Sequence, residues 1–201
     1  MRRHFLMGSL VAAAALLTAC NGGSNLGSNG AFVPQSQNRL TPRSTNVIQN
    51  AGFETGKIAP WTIDGQRTGE AKIVNTQWHS GKYSVYMGTD SVASVNGPHG
   101  IEQSVTVPAN ATLSFWHEGN STDEVKYGYD EIDVLQGTKV LGVCYGGSGV
   151  ATDTVMKWKQ SSCSMSKYAG KKVTLFFYVN DNGYKGYWVN WYLDDITLTG
   201  K

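Results

Sequence analysis

From residue 46 onward the chain is a succession of short apolar runs that alternate with polar residues, stop at turn chemistry and show almost no helical periodicity. Val47-Ile48 leads into Asn50-Ala51-Gly52, residues 82–87 (KYSVYM) stop at Gly88, and residues 101–107 end at Pro108-Ala109-Asn110. Residues 112–117 (TLSFWH) follow; residues 131–136 (EIDVLQ) turn at Gly137-Thr138 into 139–144, and longer runs occupy 172–180 and 187–199. Period-two patterning with β-branched and aromatic side chains gives each run one face for a core and one for water. Strands without crossover helices pair antiparallel, because a parallel pair needs a connection of about a dozen residues or more, usually helical. The predicted fold is therefore all-β: an antiparallel two-sheet β-sandwich or jelly roll. Only residues 166–170 (SKYAG) read as a helical turn.

The first 45 residues follow a different grammar. Arg2 and Arg3 precede an apolar stretch from Phe5 to Leu17, and small residues lead to Cys20. This is the layout of a secretory signal peptide, too short for a spanning helix of about 20 apolar residues. Leu17-Thr18-Ala19-Cys20 resembles the bacterial lipobox, which implies removal of residues 1–19 and a thioether-linked diacylglycerol on Cys20. Several acyl chains, palmitate among them, anchor a protein stably to a membrane without crossing it. Asn21 stands where the resemblance would put an inner-membrane-retaining Asp, so the outer membrane of a bacterial envelope is the expected location. Residues 21–45 are rich in Gly, Ser, Asn and Gln and cannot bury enough surface to offset ordering entropy. They form a tether of about 25 to 30 Å root-mean-square reach. The expected organisation is a signal peptide at 1–19, a lipidated Cys and tether at 20–45, and a monomeric β domain at 46–201.

Charge removes one class of partner. The chain has 17 Lys and Arg against 15 Asp and Glu, but Arg2, Arg3, Arg39 and Arg43 precede the first acidic residue, Glu54. Residues 46–201 thus carry 13 basic against 15 acidic side chains. A domain of net −2 lacks the basic face that nucleic acid requires, and no nucleic-acid partner is expected.

Six motifs then occur in order: residues 50–56 (NAGFETG) followed by Trp61, 79–84 (HSGKYS), 105–108 (VTVP) with 113–116 (LSFW), 168–175 (YAGKKVTL) and 192–198 (YLDDITL). Together they resemble the galactose-binding-like jelly-roll superfamily, in particular the carbohydrate-binding modules of xylan- and glucan-degrading enzymes, over about residues 46–199. The resemblance implies a polysaccharide or glycoconjugate partner and a structural Ca²⁺ that clips the first and last strands. Carried onto this chain, Glu54 and Asp194 or Asp195 would supply carboxylates, with carbonyls near Gly56 and Lys82. The alternative is that Glu54 caps a turn and one aspartate faces solvent.

Setting Cys20 aside leaves Cys144 and Cys163, an even pair in an oxidising compartment, for which a disulfide is the default. A Cys144 nucleophile has no His nearby in sequence, and a zinc site lacks short ligand spacings among His79, His99 and His117. Residues 146–150 (GGSGV) depart from the GxSxG elbow at Val150. Asp123, Glu124, Asp130, Glu131 and Asp133 crowd one stretch, as glycosidase carboxylates would. Glu131 and Asp133, however, share one strand face and read as its solvated side. His79 and His117 could act as bases, but no partner can be named. The chain is not expected to be an enzyme.

Six Trp and ten Tyr exceed what a core of this size needs. Trp61, Phe115 and Trp116 lie in or beside apolar strand patterns and are expected inside. Trp78, Tyr127, Tyr129, Tyr145, Trp158, Tyr184, Tyr187 and Trp188 lie in polar or Gly-rich surroundings and are the candidate ligand-binding shelf. A flat ring stacks on the apolar face of a pyranose while carboxylates and amides bond its hydroxyls. Residues 120–130 (NSTDEVKYGYD) and 180–191 (NDNGYKGYWVNW) supply that mixture on turn-rich segments. Alternation lets only one of Tyr187 and Trp188 face outward. The expected function is a lipid-anchored, noncatalytic, glycan-binding envelope lipoprotein. A structural or adhesive module binding protein is the alternative, and a polysaccharide hydrolase or lyase a third.

Overall fold

The computed structural model describes residues 44–65, 71–90, 96–149 and 156–200. The signal peptide, Cys20 and nearly all of the tether lie outside the described residues. Among the described residues ten strands follow in chain order: β1 (Thr62–Gly65), β2 (Ala71–Val74), β3 (Ser84–Gly88), β4 (Gly97–Thr106), β5 (Thr112–Ser121), β6 (Tyr129–Gln136), β7 (Lys139–Gly146), β8 (Lys159–Ser164), β9 (Lys172–Asp181) and β10 (Val189–Thr199). A 3-10 turn, Ser166–Tyr168, falls inside the predicted helical turn. The strands make two five-stranded sheets, β1-β4-β9-β6-β7 and β2-β3-β10-β5-β8, and all neighbours pair antiparallel. This is the sandwich that the alternation predicts.

Period two fills the space between the sheets. Along β9, Val173, Leu175, Phe177 and Val179 are buried inward, while Thr174 and Asn180 lie on the other face. Leu113 and Phe115 of β5 and Trp191 and Leu193 of β10 complete the core from the second sheet. A path of ring contacts crosses the interior: Phe53 to Trp61 at 5.9 Å, Trp61 edge-on to Phe177 at 5.6 Å, Phe177 to Phe115 at 6.0 Å, and Phe115 to Trp191 at 6.1 Å between centroids. Each such pair adds about 0.5–1.5 kcal/mol beyond the area it buries. Trp61 and Phe115 are thus core residues. Trp116 is not: alternation on β5 turns it to the outer face, where it is only partly buried.

The last strand changes parity midway. Trp191 and Leu193 are buried before Asp194, and Ile196 and Leu198 after it, because the β10–β5 register shifts between Asp194 and Thr197. The extra residue, a bulge, puts Asp195 at φ 48° and frees the Ile196 N–H, which donates to the Ala51 carbonyl at 3.0 Å. The segment before β1 lies along this strand. Asn46 accepts from the Leu198 N–H at 2.8 Å and donates to the Ile196 carbonyl at 3.0 Å, and the Val47 N–H donates to the Leu198 carbonyl at 3.2 Å.

Cys144 and Cys163 are disulfide-bonded, with Cα atoms 5.7 Å apart. They join β7 and β8, the edge strands of opposite sheets, so the bond closes one side of the sandwich.

Candidate functional site

Pairing brings two connections to the same end of the molecule. Because β5 pairs with β10 (Ser121 opposite Val189) and β6 with β9 (Tyr129 opposite Asn180), the 122–128 and 182–188 loops emerge side by side. They are stitched together: the Thr122 N–H donates to the Trp188 carbonyl at 3.0 Å, the Trp188 N–H to Thr122 Oγ1 at 3.1 Å, and Asn180 Nδ2 to the Tyr127 carbonyl at 3.3 Å. Each loop also holds its own shape. Asp123 Oδ1 accepts from the Glu124 N–H, Asn182 Oδ1 from the Tyr184 N–H and Asp181 Oδ1 from the Gly183 N–H, each at 2.8 Å. Gly183 takes φ +75° and lies against Asn96, where a Cβ would come within 2.8 Å of the Asn96 Cβ.

Between the loops lies a cleft of about 440 Å³ lined by Asp123, Glu124, Tyr127, Asn182, Tyr184 and Tyr187. The three rings are exposed, Tyr127 by 41%, Tyr184 by 70% and Tyr187 by 44%. Exposed rings beside carboxylates and an amide are the composition of a small polar-ligand site. A hollow of about 510 Å³ between residues 47–49 and β4, lined by Gln49, Glu102 and Gln103 among others, offers no aromatic ring.

The other shelf candidates are dispersed. Trp188 is half-buried beside the exposed Tyr187, as one-sided alternation requires. Tyr129 stands on the outer face of its sheet, opposite Asn180. Tyr145 is turned inward, against expectation: it stacks on Trp191 at 5.9 Å and meets Phe115 edge-on at 5.2 Å. The reason is its register opposite Ile132, an inward position of β6. Trp78, 43% exposed, lies in the β2–β3 connection, and Trp158 belongs to a separate aromatic group on the other sheet. There His79 stacks on Trp116 at 3.7 Å and meets Trp158 at 5.9 Å. Sequence reading placed Trp116 inside; the polar Ser114 and Glu118 two residues either side were the signal for an outward face.

The expected metal carboxylates meet a loop. Glu54 accepts from the Lys82 N–H through both oxygens, at 3.0 and 3.1 Å, and from the Tyr83 N–H at 3.1 Å. Asp194 Oδ2 accepts from the His79 and Ser80 N–H groups at 2.9 and 3.0 Å. Asp195 bonds His79 Nδ1 at 2.7 Å and Ser80 Oγ at 2.9 Å. Burial, with the neighbouring Asp195 charge, pushes Asp194 up to about 6 against its backbone hydrogen bonds. Among the described residues no group of three or more His, Cys, Asp or Glu is gathered as a metal cluster. The donor set nonetheless suits a hard cation in kind. A Cβ on Gly52 would sit 3.3 Å from Asp195 Oδ1 and 3.5 Å from Asp194 Oδ1, so these two carboxylates border the space that this glycine leaves, while the Glu54 carboxylate is turned to the loop at Gly81.

The acid–base candidates are engaged elsewhere. His117 is buried, its Nδ1 accepting from Trp191 Nε1–H at 3.2 Å, which leaves Nε2–H to donate to Ser161 Oγ at 2.9 Å. Glu131 and Asp133 share the outer face of β6, but that face is not the solvated one expected. Phe176 and Tyr178 of β9 lie opposite and stack on each other at 4.6 Å, covering it. Burial, then the hydrogen bond and charge of Asp133, push Glu131 up to about 7; burial also raises Asp133. The two carboxyls are hydrogen-bonded to each other, whereas glycoside hydrolysis needs a separation of about 5 to 9.5 Å. Ser148 Oγ donates to the Lys126 carbonyl at 3.1 Å.

No protein-family model matches the chain, and no curated protein matches it. Solved structures do. The carbohydrate-binding module TmCBM61, solved with beta-1,4-galactotriose, superposes with a TM-score of 0.55 at 21% identity, over 79% of this chain and 100% of that one. The K3 adhesin domain of Lys-gingipain from Porphyromonas gingivalis W83 gives 0.53 at 15%, over 77% and 99%. A part of the MgGH51 α-L-arabinofuranosidase gives 0.51 at 16%, over 77% of this chain and 26% of that one. At these identities the likeness shows the fold: the chain is an antiparallel jelly-roll β-sandwich of the kind found in carbohydrate-binding modules.

Proposed function

We propose that this chain is a noncatalytic glycan-binding module, held at a bacterial envelope surface by lipid on Cys20. The observation that carries the binding reading is the cleft between the 122–128 and 182–188 loops, where three exposed tyrosines meet two carboxylates and an amide. The fold shared with TmCBM61, which was solved holding a galactotriose, supports it. A rigid sandwich presenting rings on loops is a sound platform for stacking on pyranose faces.

Gel retardation against a panel of soluble polysaccharides, followed by calorimetry on those that retard, tests the reading. Tyr184→Ala and Tyr187→Ala should each weaken binding about tenfold, the loss of roughly 1.4 kcal/mol of stacking. Both side chains are exposed, so the melting temperature should hold. Unchanged retardation in the double variant would refute the cleft as the sugar site, and no retardation of the native protein by any polysaccharide would favour an adhesive module instead. For the anchor, the native protein should partition into detergent and Cys20→Ala into the aqueous phase.

A further inference from the structure

Resting on the glycan reading, the geometry points to a narrower ligand: we propose that the cleft selects saccharides carrying a protonated amine over neutral or acidic ones. Its lining comprises three tyrosine rings, the carboxylates of Asp123 and Glu124, and the Asn182 amide, with no Lys or Arg. A ring face is the negative end of its quadrupole and attracts a cation, most strongly where water is excluded. Rings and carboxylates therefore pull in the same direction. A uronic or sulfated sugar would meet the like charge of Asp123 and Glu124, offset only in part by the Lys126 ammonium over Tyr127.

Two observations make the lining more than an acidic surface. Asp123 Oδ2 is shielded from solvent and has no hydrogen-bond partner among the described residues, while Oδ1 is taken by the Glu124 N–H. Lys126 sets its ammonium 5.2 Å from the Tyr127 ring centroid, so that ring already holds a cation of the chain and Tyr184 and Tyr187 are the rings assigned to the ligand's amine. Lys185 stands on the second loop, and neither lysine lines the cleft.

The test compares three oligosaccharides of equal length on the full chain by calorimetry: a β-1,4-linked glucosamine hexamer at a pH where its amines are protonated, the N-acetylated hexamer, and a galacturonate hexamer. The amine form should bind about tenfold tighter than the acetylated form and the acidic form least, with the ratio shrinking as salt rises. In Glu124→Gln and Asp123→Asn the amine-to-acetyl ratio should fall to about twofold. Tetramethylammonium chloride should compete with the amine hexamer, and failure to compete would overturn the role given to the rings. A ratio of one or less, or a ratio unmoved in both variants, overturns the proposal while leaving glycan binding intact. If none of the three binds while a polysaccharide of the panel retards the protein, the amine proposal falls and glycan binding stands; if neither binds, both fall.

Discussion

Glu131 sits on a strand face that alternation assigns to water, yet Tyr178 across the β6–β9 ladder and Asp133 two residues on enclose it. Its carboxyl is raised to about 7 by burial and by Asp133, from an ordinary value of 4.5. The folded protein therefore holds a proton that the unfolded chain releases above about pH 4.5. Stability is then greatest at low pH and falls as pH climbs from about 4.5 through 7, the reverse of a salt-bridged carboxylate. Screening at a half-exposed site trims this to about 1 kcal/mol, or roughly 2 to 4 °C. Melting should be higher at pH 5 than at pH 8, and Glu131→Gln should flatten that difference. Asp194, also raised, contributes equally to both proteins and cancels in the comparison. An unaltered pH difference in Glu131→Gln would show that the pair holds no shared proton. Sequence pattern put Glu131 and Asp133 on the right face but could not see Phe176 and Tyr178 arriving from a strand about 45 residues away, as a nonlocal partner always escapes local reading. Tyr127, Tyr184 and Tyr187 were legible because polar turn chemistry surrounds them; Tyr145 was misread because its neighbours are glycines while its register is inward.

At the scale of elements, the strands legible in the sequence are largely those with a face on the core. The central β9, β5 and β10 carry core residues at period two, broken in β10 only by the bulge, and were expected within a few residues, whereas β1, β2 and β8 were not expected at all. All three are edge strands, two of them four residues long, and β8 (KQSSCS) is mostly exposed. Short, polar edges resist pairing with other chains, and the same property erases their signature. What anchors β8 is Cys163, bonded to Cys144 on β7 across the gap between sheets. Closing a loop of 19 residues' separation contributes about 3 kcal/mol in the chain-entropy model. Replacing both cysteines by Ala should lower the melting temperature by roughly 6 to 12 °C. Sugar binding should survive, since neither cysteine lines the cleft. A melting temperature within a degree of the native value would mean that β8 is held by its ladder with β5 and not by the cystine.

The β domain is closed by its first described segment and its last strand. Residues 46–54 lie on the final strand, the bulge at Asp195 takes the Ala51 carbonyl, and the 79–83 loop is gripped by Glu54, Asp194 and Asp195. Asn50, Phe53 and Asp195 all adopt positive φ there, at 49°, 57° and 48°, conformations that cost a non-glycine residue about 1 kcal/mol or more. Asp194 and Asp195 also turn carboxylate oxygens toward Gly52, and burial, with the Asp195 charge added to it, raises Asp194. Strain and like charge converging on one clasp need an offset. The loop N–H groups supply part of it, and a hard cation at the Asp194 and Asp195 oxygens beside Gly52, Ca²⁺ by the chemistry of the donors, is our proposal for the rest. A cation bound only by the folded state, at a hundred times its dissociation constant, stabilises by about 2.7 kcal/mol. EDTA should then lower the melting temperature by roughly 5 to 11 °C, and added calcium, more than magnesium, should restore it. Asp195→Asn should lose both responses. If chelation leaves the melting curve where it was, hydrogen bonds to the 79–83 loop hold the clasp without a metal, and the acidic residues serve as caps.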